Sequence, residues 1–344
     1  MYTIFDYLEY YKDTNLNEIN INEIDNLLFS ILVYLPISSF DKKMNFSEFA
    51  NYALKYKNVK TSSSMAHVAF EIISILKNSK RFKDFYVSNF VNIKNEEMQF
   101  GGAKFSNKDT TIISFKGTDG SCIGWYENLR LSYMYPTKTQ SYALDYIKNT
   151  IDNKDKNIYL CGHSKGGNLA LVSLIEASKS LFKRINKVYN FDGPGVLNEV
   201  FYSDKYKNAK TKLINIVPTG SVVGMLLYND LYDVCESTEY AFNEHYPNSF
   251  KVFGTKFVKG NLSLVSKKIH QSTTEELSSL DKESVKDAVE SLIKTLGKDG
   301  VEDFNFSLTD ITEIVKNMKN IPASTRSYLV KMLTTLISVI GKNK

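Results

Sequence analysis

Cysteine is scarce: Cys122, Cys161 and Cys235 are the only three in 344 residues, and they form no CxxC or Cys/His ligand spacing. That excludes a disulfide framework and leaves a structural metal and a cofactor unexpected; thiols in a reducing compartment are the expectation. Blocks of like charge are also lacking. Lys and Arg (43) outnumber Asp and Glu (38), but they are scattered along the whole chain. This excludes a nucleic-acid-binding arm and permits at most a peripheral contact with anionic membrane surfaces. No window of 18 apolar residues is present to span a bilayer. The first residues, MYTIFDYLEYYKD, carry Asp6, Glu9 and Asp13 where a secretory leader needs a basic start and an unbroken apolar run. A cytoplasmic location follows as the expectation. Internal repeats and low-complexity linkers are missing too, and a mean hydropathy of −0.26 is that of an ordinary folded chain.

What is present has a clear order. Up to about residue 90 the apolar spacing is helical, as in INEIDNLLFSILVYL, which stops at Pro36, and SSSMAHVAFEIISILKNSK. The period then changes. MQFGGAKFSNKDTTIISF predicts a hairpin with strands near 99–105 and 110–115. Helix SYALDYIKNTIDN, strand NIYLCG, helix NLALVSLIEASKSLF, strand KVYNF and strand TKLINIV follow. Strands alternating with helices imply parallel pairing through right-handed crossovers, hence a mostly parallel, doubly wound α/β sheet. From about 262 onward only amphipathic helices remain: DKESVKDAVESLIKTL, SLTDITEIVKNM and STRSYLVKMLTTLISVI. The expected organisation is one domain over 1–261 and a helical C-terminal extension over 262–344.

One stretch carries chemistry. In NIYLCGHSKGGNLALVSLI, Ser164 sits in a GxSxG pattern after an apolar strand, between Gly162 and Gly166, and before an apolar-periodic helix. That is the context of a nucleophile elbow, whose strained serine leaves no room for neighbouring side chains. A serine hydroxyl needs a base, normally a histidine held by a carboxylate. Four histidines are available. His163 adjoins the serine on a turn that points it elsewhere, His67 lies on an early helix, and His270 reads as a solvated helix residue. His245, in FNEHYPNSFKVFG after the last strands, has the place that the chain order Ser, acid, His demands. Asp192, directly after KVYNF and before Gly193-Pro194-Gly195, is the favoured acid because open α/β sheets build sites at that edge. Asp230, Asp233 and Glu236 compete beyond the next strand, and a turn-stabilising role competes for Asp192 itself.

SFKGTDGSCIGWYENL resembles the oxyanion-loop region of class 3 lipases. Together with GHSKGGNLA, NFDGPG, FDYLEYY, EIDNLLFSILVYL and IVPTGSVVGMLL, it resembles more closely the Mbeg1-like (DUF2974) family of bacterial α/β-hydrolases. The likeness runs over about residues 1–260. It implies an α/β-hydrolase fold, Ser164 as nucleophile, His245 as base, and an oxyanion hole from the N–H groups of Thr118 and Lys165. One departure stands out: class 3 lipases carry the acid after the strand that reads TKLINIV here, where this chain has PTGSVVG with Ser221. Either Asp192 serves, or the dyad works without a third member.

The function implied is a lipase-like serine hydrolase acting on an acyl or lipid ester, with the aromatic-rich stretch DGSCIGWYENLRLSYMYPTKTQ either walling an acyl pocket or packed as core. The alternatives are a catalytically silent fold used for interaction, and a thioesterase or peptidase on the same residues. Natural substrate and oligomeric state are not written in the sequence.

Overall fold

In the computed structural model, residues 2–59, 63–296, 302–303, 314–316, 318 and 321–340 are described. Eight strands form one sheet in chain order: β1 (Met44–Asn45), β2 (Tyr86–Lys94), β3 (Gln99–Ser106), β4 (Thr111–Phe115), β5 (Ile158–His163), β6 (Ile185–Phe191), β7 (Leu213–Pro218) and β8 (Asp233–Cys235). Pairing is antiparallel from β1 to β4 and parallel from β4 to β8. The expected hairpin is β3–β4. By contrast β1 and the first half of β2 lie in the region up to about residue 90 that reads as helical. A bulge between Ser88 and Val91, with Asn89 at φ 50°, breaks the alternation by which β2 would be recognised.

Alternate strand residues face opposite layers, as the pleat requires. Ile112, Cys161, Tyr189 and Ile216 pack with helices α1 (Ile4–Tyr11), α2 (Glu23–Leu32), α3 (Phe46–Leu54) and α4 (Ser64–Leu76). Ile113, Leu160, Val188 and Leu213 face the crossover layer. That layer contains α5 (Cys122–Arg130), α6 (Lys138–Thr150), α7 (Lys165–Ile175), α8 (Lys179–Arg184), α9 (Asn198–Phe201) and α10 (Asp204–Ala209). The helix expected over NLALVSLIEASKSLF is broken in two, because the Ser178 hydroxyl accepts the Leu181 N–H and so starts α8 afresh.

The C-terminal segment supplies α11 (Leu264–Ser279), α12 (Lys282–Leu296) and α13 (Ala323–Ile340). Most of the helix expected over SLTDITEIVKNM lies outside the described residues. Val285, Ala288, Val289 and Leu292 of α12 join the crossover-layer core. Glu290 receives both Nε and Nη2 of Arg130, at 2.7 and 3.0 Å, and the Tyr133 hydroxyl. Among the described residues no helix is long and apolar enough to cross a membrane, and no group of three or more His, Cys, Asp or Glu could hold a metal.

The N-terminal layer is fixed by a buried ion pair. Arg81 donates from Nε and Nη2 to the two Asp25 oxygens at 2.8 and 2.5 Å, Tyr7 donates to the same carboxylate at 2.8 Å, and the remaining guanidinium protons reach the Ile19 and Asn20 carbonyls. Both partners are almost fully excluded from water. Arg81→Met would strand the Asp25 charge, and a loss of about 3–5 kcal/mol is expected in urea unfolding at neutral pH. A loss near the ~1 kcal/mol of an exposed pair would contradict this role.

Candidate active site

Strand β5 ends at His163 and α7 begins at Lys165, so Ser164 makes the whole turn between them. It does so at φ 58° and ψ −132°, a conformation that costs a non-glycine residue about 1–3 kcal/mol. Close packing imposes it. A Cβ on Gly166 would lie 2.2 Å from the Phe115 carbonyl oxygen, and one on Gly162 would lie 2.2 Å from the Gly166 carbonyl. The Ser164 carbonyl already accepts the N–H groups of Gly167 and Asn168 at 2.9 and 3.3 Å. The N–H of Lys165, at the first helical position, is one of the donors a helix start leaves without an intrahelical acceptor.

Asp192 follows β6 in the same manner, with φ 48° and its N–H on the Ile216 carbonyl at 2.8 Å. Its carboxylate is wholly buried. Oδ1 accepts from the Ser221 hydroxyl at 2.5 Å and the Gly224 N–H at 3.2 Å, and Oδ2 lies 2.6 Å from Nδ1 of His245. Because a carboxylate only accepts, Nδ1 carries the proton and Nε2 is left as the acceptor. Asp230 is instead exposed and paired with Lys210, Glu236 is paired with Lys251, and Asp233 is exposed on β8. None of these three bonds His245.

His245 ends a 3-10 turn, Ala241–His245, and its own backbone is held from beneath. Its carbonyl oxygen accepts from Nε2 of His163 at 2.8 Å, and the two rings lie 4.6 Å apart. With Nε2 donating, Nδ1 of His163 accepts from the Tyr34 hydroxyl at 3.2 Å. Burial, followed by the nearby His245, pushes the His163 pKa well below 6.5, so the ring stays neutral. His67 is exposed on α4. His270 departs from its expected solvated state: Nδ1 sits 3.0 Å from the Met225 carbonyl oxygen.

Ser164 and His245 border one cavity of about 140 Å³, which Thr118 and Lys165 also line. Among the described residues no hydrogen bond joins the Ser164 hydroxyl to the His245 ring. The Thr118 hydroxyl is gripped by Asn128, whose Nδ2 donates to it at 3.0 Å. Apolar walls come from Met65, Trp125, Leu131, Val223, Leu226 and Leu227. Three more lining residues, Thr273 and Leu277 of α11 and Tyr328 of α13, come from the C-terminal helices. Asp119 also borders the space; burial alone would raise its carboxyl, but the Lys116 charge and two Ser121 donors hold it below the usual range.

The geometry therefore brings together Ser164, His245, Asp192, Thr118 and the Lys165 backbone. Tyr34, the bonding role of His163, and Ser221 as a donor to Asp192 were not legible, because each joins segments far apart in the chain. The one available signal is negative: the turn after β7 holds Ser221 and no carboxylate.

Residues 76–294, well over half of the chain, match the family model described as Mbeg1-like. No curated protein matches the chain significantly. Among solved structures, M37 lipase is 12% identical over 91% of this chain and 97% of its own, with a TM-score of 0.37. A triacylglycerol lipase described as having a serine-protease triad at its catalytic centre is 13% identical over 65% of this chain and 81% of its own, with a TM-score of 0.37. The Rhizomucor miehei lipase propeptide complex is 15% identical over 51% of this chain and 70% of its own, at 0.34. The parallel run of strands and the strand-turn-helix at Ser164 are those of the α/β-hydrolase fold.

Above pH 6.5 both folded and unfolded chains hold His163 neutral; below it the unfolded chain binds a proton that the folded chain refuses. Stability should therefore decline as pH falls from 6.5. Melting temperatures measured from pH 7.5 to 5 should show this slope in the native chain and a shallower one in His163→Gln. Identical slopes would remove His163 from this role.

Proposed function

The chain belongs to the Mbeg1-like family, and from the geometry of its cavity we propose that it is a lipase-like serine hydrolase acting on an acyl or lipid ester. The observation that carries this reading is the 2.6 Å contact between His245 Nδ1 and the buried Asp192 carboxylate, at the cavity that holds a strained Ser164. Ser164 Oγ attacks the ester carbonyl while Nε2 of His245 takes the hydroxyl proton. Asp192 holds the ring in the required tautomer and stabilises the imidazolium that forms. The developing oxyanion is met by the N–H groups of Thr118 and Lys165, each worth about 3–4 kcal/mol in a dry site. His245 then protonates the leaving alcohol, and water, deprotonated by the same ring, releases the acyl group from Ser164.

The apolar walls from Met65, Trp125, Leu131, Val223, Leu226 and Leu227 suit an acyl chain. We assign residues 1–261 to the hydrolase domain and 262–344 to a helical extension that completes the acyl pocket. The support is that Thr273, Leu277 and Tyr328 line the cavity.

Hydrolysis of p-nitrophenyl butyrate by the full chain tests the reading. Ser164→Ala should abolish turnover, and Asp192→Asn should lower kcat by roughly 10⁴-fold while Asp230→Asn leaves it unchanged. An active Ser164→Ala protein, or the reverse ranking of the two aspartates, would contradict the assignment. The pocket assignment has its own test: Leu277→Trp should depress turnover of octanoyl and longer esters while sparing acetyl and butyryl esters. Uniform loss, or no change across the series, would place α11 outside the pocket.

A further inference from the structure

A lysine is almost never fully buried unless it is paired. Lys165 is buried, and its Nζ donates to Glu127 Oε2 at 2.8 Å and to the Gln99 carbonyl at 3.0 Å. Only 3% of the lysine side chain and 4% of the glutamate side chain meet solvent. Glu127 Oε2 also accepts the Gln99 N–H at 3.2 Å, and its other oxygen accepts the Thr139 hydroxyl. Replacing such a buried pair by apolar side chains is often neutral or stabilising, so stability gives little reason for it.

Its connections lead to both proposed oxyanion donors. Lys165 bears one of them on its own backbone, and the side chain ties that residue to β3 and α5. The other end of the network is the fully buried Gln99, whose Nε2 donates to the Gly117 carbonyl at 3.2 Å. The Gly117 carbonyl and the Thr118 N–H belong to one peptide plane and point in opposite directions across a trans bond. Fixing that carbonyl therefore aims the Thr118 N–H. Asn128, next to Glu127 on α5, holds the Thr118 hydroxyl from the other side. The pair is neutral overall, so it aligns these amides without adding net charge beside a developing oxyanion.

We propose that the Glu127–Lys165 ion pair and Gln99 form a clamp that sets the separation and direction of the Thr118 and Lys165 N–H groups. All three are positioning residues, and the proposal rests on the hydrolase reading of Ser164. A clamp that acts on the tetrahedral state should affect turnover far more than substrate affinity.

The test compares the full-length native chain with Glu127→Gln/Lys165→Met, which leaves no stranded charge, and with Gln99→Met, which leaves the ion pair intact. The second variant keeps the question decidable should the first not fold. Steady-state hydrolysis of p-nitrophenyl butyrate is measured beside inhibition by butaneboronic acid, a tetrahedral mimic, and beside melting temperature. A misdirected donor should lower kcat by about 100-fold with KM nearly unchanged. Boronate affinity should fall in parallel. Variants that fold and keep kcat and boronate affinity near the native values, whatever their melting temperature, would overturn the clamp and reduce the pair to a structural contact. If the native chain hydrolyses no ester, the hydrolase reading itself fails, and the clamp with it.

Discussion

The contact between His245 and Asp192 sets the terms for everything around it. A carboxylate taken wholly out of water is tolerated only when its oxygens are satisfied. Here the oxygens are shared among Ser221, Gly224 and His245. Those three residues come from the end of β7 and from a loop beyond β8, so the carboxylate gathers segments that the sheet alone would leave apart. The histidine is restrained at both ends: its ring by Asp192 and its carbonyl by His163. Since His163 is in turn bonded to Tyr34, just beyond α2, the N-terminal layer and its Arg81–Asp25 pair support the site indirectly.

How much of this could be read from the chain depends on the range of the interaction. Ser164 stood out because an elbow is local: a strand, two glycines and a helix within some twenty residues. Asp192 was favoured over Asp230, Asp233 and Glu236 for a local reason as well, its place directly after a strand and before a Gly-Pro-Gly turn. The hairpin of β3 and β4 was visible through a polar turn between alternating segments. What escaped was non-local. Nothing near Ser221 says that its hydroxyl meets a carboxylate 29 residues earlier. Lys165 and Glu127 are separated by 38 residues, and each read singly is an ordinary charged residue. β2 escaped for a different reason, since a bulge inside it disrupts the period by which strands are recognised.

The C-terminal helices show the same limit in reverse. Their amphipathic spacing gave an apolar face without naming what covers it, and an appendage was the natural expectation. The structure lays α12 against α5 and turns α11 and α13 toward the cavity. Helices from this segment thereby share walls with the residues proposed to do the chemistry. If the hydrolase reading holds, acyl-chain preference is set partly by residues that lie far beyond His245 in the chain.

On the proposed reading, Ser164 is an activated nucleophile. Intact-protein and peptide mass spectrometry after exposure to a fluorophosphonate tests it most directly, because such reagents modify serines whose hydroxyls are deprotonated by a neighbouring base. A single phosphonyl adduct is expected on the peptide containing Ser164, absent from Ser164→Ala and strongly slowed in His245→Ala. A folded native chain that stays unmodified, or an adduct retained in Ser164→Ala, would contradict it.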